Sequence, residues 1–78
     1  MAARAFVLLS ANDGDLEKMA QTLRQQIGVK MVDILEKPYG AIVLFEAPER
    51  RKMADLTIQA LAAVQDLITE VQVLTSRG

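Results

Sequence analysis

The side chains able to do chemistry are few. The chain contains no His and no Cys, which removes the commonest general base at neutral pH together with thiol nucleophiles, disulfides and thiolate zinc sites. Ser10 therefore has no imidazole with which to form a hydrolytic triad. The carboxylates Asp13, Asp15, Glu17, Asp33, Glu36, Glu46, Glu49, Asp55, Asp66 and Glu70 fall at no metal-ligand spacing and form no evident acid/base pair. No catalytic residue, metal or cofactor is expected, which points to binding rather than catalysis.

Two short stretches could bind something. Arg50, Arg51 and Lys52 form the only charge run; it is either a small cationic patch for a carboxylate, a phosphate or an acidic partner, or a solvated helix start balanced by Glu49 and Asp55. The turn Lys37-Pro38-Tyr39-Gly40 carries the one tyrosine. Its hydroxyl could reach a ligand, or its ring could cap the edge of the core.

These stretches must be held by a small fold. The 78 residues are 51% hydrophobic and 24% charged, far from the composition of a disordered chain, and a single domain over 1–78 is expected. A net charge of −1 offers no general attraction for phosphates, so direct nucleic-acid binding is not expected. The apolar run Ala5–Leu9 is too short for a signal peptide or a membrane span. A cytoplasmic protein without membrane contact is the expectation.

Ala5–Leu9 (A-F-V-L-L) reads as a strand that stops at the turn formers of residues 10–14. Leu16, Met19, Ala20, Leu23 and Ile27 then recur at helical spacing, with Asp13 placed to cap the helix and Gly28 placed to stop it. Residues 29–36 alternate roughly as a second strand in which a bulge is possible, and the Pro-Tyr-Gly turn leads into a third over 41–47. Pro48 opens a second helix with the stripe Met53, Leu56, Ala60, Ala63, Val64 and Leu67, and 70–74 alternates as a last strand.

The order β-α-β-β-α-β predicts an α+β fold: a ferredoxin-like plait with a four-stranded antiparallel sheet and helices on one face. Yet the third strand is apolar on both faces, with Ile42 and Leu44 on one and Ala41, Val43 and Phe45 on the other. Three or four large side chains left in water would forfeit several kcal/mol at roughly 1.5–3 kcal/mol each. A homodimer formed sheet to sheet is therefore expected, with an interface drawn from Phe6, Leu8, Val43 and Phe45.

A-F-V-L-L, Gly14, D-L-E-K-M-A-Q-T-L, Gly28-Val29 and P-Y-G-A-I-V-L-F-E-A-P-E follow one another between Ala5 and Glu49. Through these residues the chain resembles the ligand-binding (RAM) domain of the Lrp/AsnC family in its stand-alone form, within the dimeric α+β barrel superfamily. The resemblance implies a dimer that can assemble further into tetramers or octamers. It also implies a regulatory role without catalysis, in which an amino acid or similar small molecule, or a protein partner, is bound. The ligand loop of that family joins the second and third strands, here Lys37, Pro38, Tyr39 and Gly40. The chain carries Gly40 where the family has an Asp, and Lys37 where it has a Gly.

Through F-V-L-L-S-A and G-A-I-V-L-F-E-A the chain is also similar to the small chaperones of periplasmic nitrate reductase. That likeness implies binding of a twin-arginine signal peptide by strand addition to a sheet edge. A small enzyme of the dimeric α+β barrel type is a third reading, on fold analogy alone.

Overall fold

The computed structural model describes residues 2–36 and 40–74. The elements run β1 (Ala3–Ala11), α1 (Asp13–Arg24), β2 (Val29–Ile34), β3 (Ala41–Ala47), α2 (Arg50–Ala63) and β4 (Ile68–Leu74). The strands form one open antiparallel sheet in the order β2-β3-β1-β4. The architecture is the α+β plait that the element order predicts.

In α1 the apolar spacing buries Met19, Ala20 and Leu23 against the sheet. Asn12, not Asp13, holds the N-cap position, and Asp13 and Asp15 occupy the first turn, where the helix dipole favours negative charge. The helix ends earlier than the spacing suggests. Gln25 closes it through a tightened turn from its N–H to the Thr22 carbonyl, leaving Ile27 outside the helix and 77% exposed.

Gly28 therefore does not terminate α1 directly. Its φ of +91° bends the chain into β2, and its carbonyl accepts from the Glu46 N–H at 2.9 Å. A Cβ there would stand 2.8 Å from Leu56 Cδ1, so glycine also allows α2 to approach this bend.

Helix α2 begins two residues after Pro48, with Glu49 as its N-cap. Leu56, Ala60 and Val64 turn inward, whereas Ala63, expected in the apolar stripe, is exposed. Strand β2 keeps the bulge that its imperfect alternation suggests, between Val29 and Met31.

Both helices cover one face of the sheet. Ala5, Val7 and Leu9 of β1 and Ala41, Val43, Phe45 and Ala47 of β3 lie under them, with Val32 of β2. This overturns half of the expected dimer interface. Val43 and Phe45 are 0% exposed and belong to the core beneath the helices, so they cannot meet a second subunit. Cross-strand partners share a face, and β1 pairs Phe6 with Leu44 and Leu8 with Ile42. The partners of Phe6 and Leu8 on the open face are thus Leu44 and Ile42.

Candidate ligand-binding and pairing surfaces

The open face is built by the register of the sheet. Met31 pairs with Leu44, Leu44 with Phe6 and Phe6 with Leu74, so one apolar row crosses all four strands. The next row reads Asp33, Ile42, Leu8, Gln72, apolar in the two central strands and polar at both edges. Beyond the rows, Arg4 Nε donates to Glu46 Oε2 at 2.7 Å, and Lys30 Nζ stands 3.9 Å from Glu46 Oε1. At the opposite end Ser10 pairs with Glu70. An apolar centre inside a polar rim is the composition of a protein interface.

Phe6, Leu8, Ile42 and Leu44 are half-buried by their neighbours, while Met31 and Leu74 are 36% and 39% exposed. Removing the rest of these surfaces from water is worth roughly 0.5–1 kcal/mol per side chain, about a third of full burial. Summed over six such residues this is several kcal/mol.

Sequence reasoning missed Met31, Ile42, Leu44 and Leu74 as members of this face. A usable signal was present. Glu46 shares parity with Ile42 and Leu44, and Arg4 and Ser10 share parity with Phe6 and Leu8, so the even-numbered side of both strands is the one that reaches water.

The expected ligand loop sits at the end of the β2–β3 hairpin. Lys37, Pro38 and Tyr39 lie outside the described residues; Gly40 lies within them, and the Leu35 N–H donates to its carbonyl at 2.7 Å to close the hairpin. Gly40 has φ of +90°, and a Cβ on it would collide with the Leu9 carbonyl oxygen. On this backbone no carboxylate can stand at position 40. The exposed Glu36 immediately precedes the loop.

Arg50, Arg51 and Lys52 are exposed in the first turn of α2, which holds no acidic residue. Among the described residues the ion pairs are Arg4–Glu46 and Lys30–Glu46, so Glu49 and Asp55 do not neutralise this run. Lys52 borders a shallow pocket of about 380 Å³ that also includes Lys30, Ile27, Val29 and Leu56. The structure does not bring this patch to the ligand loop. Gly40, the described residue of that loop, precedes β3, whereas the patch follows its far end.

Among the described residues no cluster of His, Cys, Asp and Glu could hold a metal ion. Nor is any helix among them long and apolar enough to cross a membrane.

No protein-family model matches this chain, and no curated protein matches it. Solved structures do. PH0061 aligns with a TM-score of 0.83 at 22% identity, over 99% of this chain and 53% of its own, so the present chain spans about half of that protein. The hypothetical protein PHS023 from Pyrococcus horikoshii aligns with a TM-score of 0.78 at 20% identity, over 95% of this chain and 87% of its own. Both have the RAM-like fold of the Lrp/AsnC family, and that is the fold of this chain. The E. coli Tat proofreading chaperone NapD aligns with a TM-score of 0.71 at 18% identity, over 99% of this chain and 79% of its own.

Proposed function

We propose that this protein is a non-catalytic regulatory module of the Lrp/AsnC type, paired with a second copy through the open sheet face, that binds a small amino-acid-like molecule at the hairpin end of residues 36–40. The observation that carries the reading is the row Met31, Leu44, Phe6, Leu74 with Leu8 and Ile42 beside it. It is an apolar surface with a polar rim, on a fold shared with RAM-like structures. A two-fold pair stacks such rows against each other and removes both from water.

The same fold supports placing the ligand at the hairpin end. With position 40 restricted to glycine, a ligand's ammonium group is met by Glu36, and Tyr39 supplies a hydroxyl from within the loop. The cationic run on α2 is far from this end and is not assigned to the ligand.

Light scattering tests the pairing and thermal shift tests the ligand. The chain of 8.6 kDa should appear as a dimer or a multiple of it at tens of micromolar, and Leu44→Glu should lower that mass with the circular dichroism spectrum unchanged. A monomeric wild type overturns the pairing. A screen of amino acids and related metabolites should contain a compound that raises Tm, the effect being weakened by Tyr39→Ala and, for compounds with an ammonium group, by Glu36→Gln. A set of hits indifferent to both substitutions overturns the placement of the site.

The fold shared with NapD supports a second reading, a monomeric chaperone that takes a twin-arginine signal peptide along a sheet edge. The same instruments separate the two. That reading requires a monomer whose Tm rises with the peptide and not with metabolites.

A further inference from the structure

The fold gathers positive charge at one end of the sheet, away from the hairpin. Arg4 at the start of β1, Lys30 at the start of β2, and Arg50, Arg51 and Lys52 in the first turn of α2 stand there with Glu46, Glu49 and Asp55. Five cations against three carboxylates leave an excess of two positive charges, on a chain whose net charge is −1. Glu46 is already engaged. It takes Arg4 at 2.7 Å and holds Lys30 only loosely, at 3.9 Å. Arg50, Arg51 and Lys52 make no ion pair among the described residues, and the helix dipole disfavours them where they stand. Neither pairing nor helix stability accounts for the run.

Beside these cations the surface is concave and largely apolar. The pocket of about 380 Å³ is lined by Ile27, Val29 and Leu56, and the charged residues of its lining are Lys30, Glu46 and Lys52. Gly28 shapes it. Its φ of +91° turns the chain from Ile27 into β2, and its missing Cβ lets Leu56 close up to the bend. Ile27 is left 77% exposed, more than any other large apolar residue among those described. Apolar walls with a few charged groups are the composition of a small-ligand site, and the volume lies near the lower end of the roughly 300–1,000 Å³ of such pockets.

We infer that this end pocket binds a small aliphatic carboxylate, with its tail against Ile27, Val29 and Leu56 and its charge on Lys52 with Lys30 beside it. A single negative charge suits the lining better than a phosphate dianion, because Glu46 also lines the pocket and repels a second charge. Phosphate also lacks an apolar part with which to cover Ile27. Lysines meet a carboxylate as point charges without a fixed fork geometry, so the site admits tails of different lengths. None of these lining residues belongs to the open-face row or to the hairpin end. The site therefore requires neither the pairing nor the ligand proposed above.

Titration of the full chain with sodium hexanoate at low salt, followed by amide chemical shifts in NMR spectra, tests it. Saturable shifts are expected at residues 27–30 and 46–52. Hexanoate should bind about tenfold more tightly than acetate, because its added methylenes leave water, and hexylamine, of similar length and opposite charge, should not bind there. Lys52→Gln should weaken hexanoate about fivefold by removing the exposed charge partner, and Ile27→Ser should bring it close to acetate. Both residues are exposed, so both variants should keep the wild-type spectrum elsewhere.

Equal affinity for acetate and hexanoate overturns the inference, as does a hexanoate affinity that neither substitution changes. Shifts centred on Glu36 and Gly40 would assign the carboxylate to the hairpin end, and shifts centred on Phe6 and Leu44 to the open face; either overturns the end pocket. Tighter binding of inorganic phosphate or of a polyglutamate peptide overturns the ligand class. The absence of saturable shifts at tens of millimolar hexanoate overturns the site outright.

Discussion

Phe45 and Leu44 are neighbours in sequence on opposite faces of the sheet, and alanine at each makes the sharpest test of how the faces are assigned. Phe45 is 0% exposed beneath the helices, clustered with Val7, Val43, Met19 and Ala60. Phe45→Ala deletes a buried ring and leaves a cavity, at a cost of about 3–5 kcal/mol. For 78 residues the whole stability is on the order of 4–12 kcal/mol. With a urea m-value of roughly 1 kcal/mol/M for so small a chain, the midpoint should fall by about 3 M or more, near to unfolding in buffer.

Leu44 is only half-buried, on the open face. Leu44→Ala should cost the unpaired chain about 1 kcal/mol or less, because the site is already partly in water. Its larger effect should act through pairing and therefore grow with protein concentration, while that of Phe45→Ala should be the same at every concentration. Urea titrations followed by far-UV circular dichroism at a few and at a few hundred micromolar measure both. A Phe45→Ala midpoint shift smaller than that of Leu44→Ala at low concentration would refute the assignment of the faces.

Gly40→Ala should destabilise by at least 1–3 kcal/mol, since it combines a positive φ with a collision against the Leu9 carbonyl; the thermal midpoint should drop by roughly 4–8 °C per kcal/mol. Gly28→Ala should cost less than Gly40→Ala in the same assay, because it meets the Leu56 side chain, at 2.8 Å from Cδ1 and 3.1 Å from Cβ, rather than a backbone carbonyl. Replacing Arg50 and Arg51 with Glu should raise stability by about 0.3–1 kcal/mol per site at low salt, by matching the first turn of α2 to its dipole, and the gain should shrink in 1 M salt. Arg24→Ala should lose about 1 kcal/mol with the bond to the Val32 carbonyl. By baring the β2 edge it should also raise light scattering in concentrated solutions.

The element order was legible from periodicity alone. β3 has the expected bounds, and the stripes Met19, Ala20, Leu23 and Leu56, Ala60, Val64 face the core as their spacing implies. Boundaries were harder to read where capping depends on backbone geometry, as at Asn12, Gln25 and the bend at Gly28. Of the expected interface residues, Phe6 and Leu8 lie on the open face, while Val43 and Phe45 went to the core. An alternating pattern states that a strand has two faces but not which of them the helices cover.

By itself, then, the order of polar and apolar residues determined that this chain makes a β-α-β-β-α-β plait with two apolar sheet faces, because periodicity is a local property of each segment. The tertiary structure decided which face is core. It also decided that the row from Met31 to Leu74 spans four strands, that Arg24 lies across β2, and that glycine is required at 40. Each of these depends on register and on contacts between segments distant in sequence, which exist only once the strands have paired.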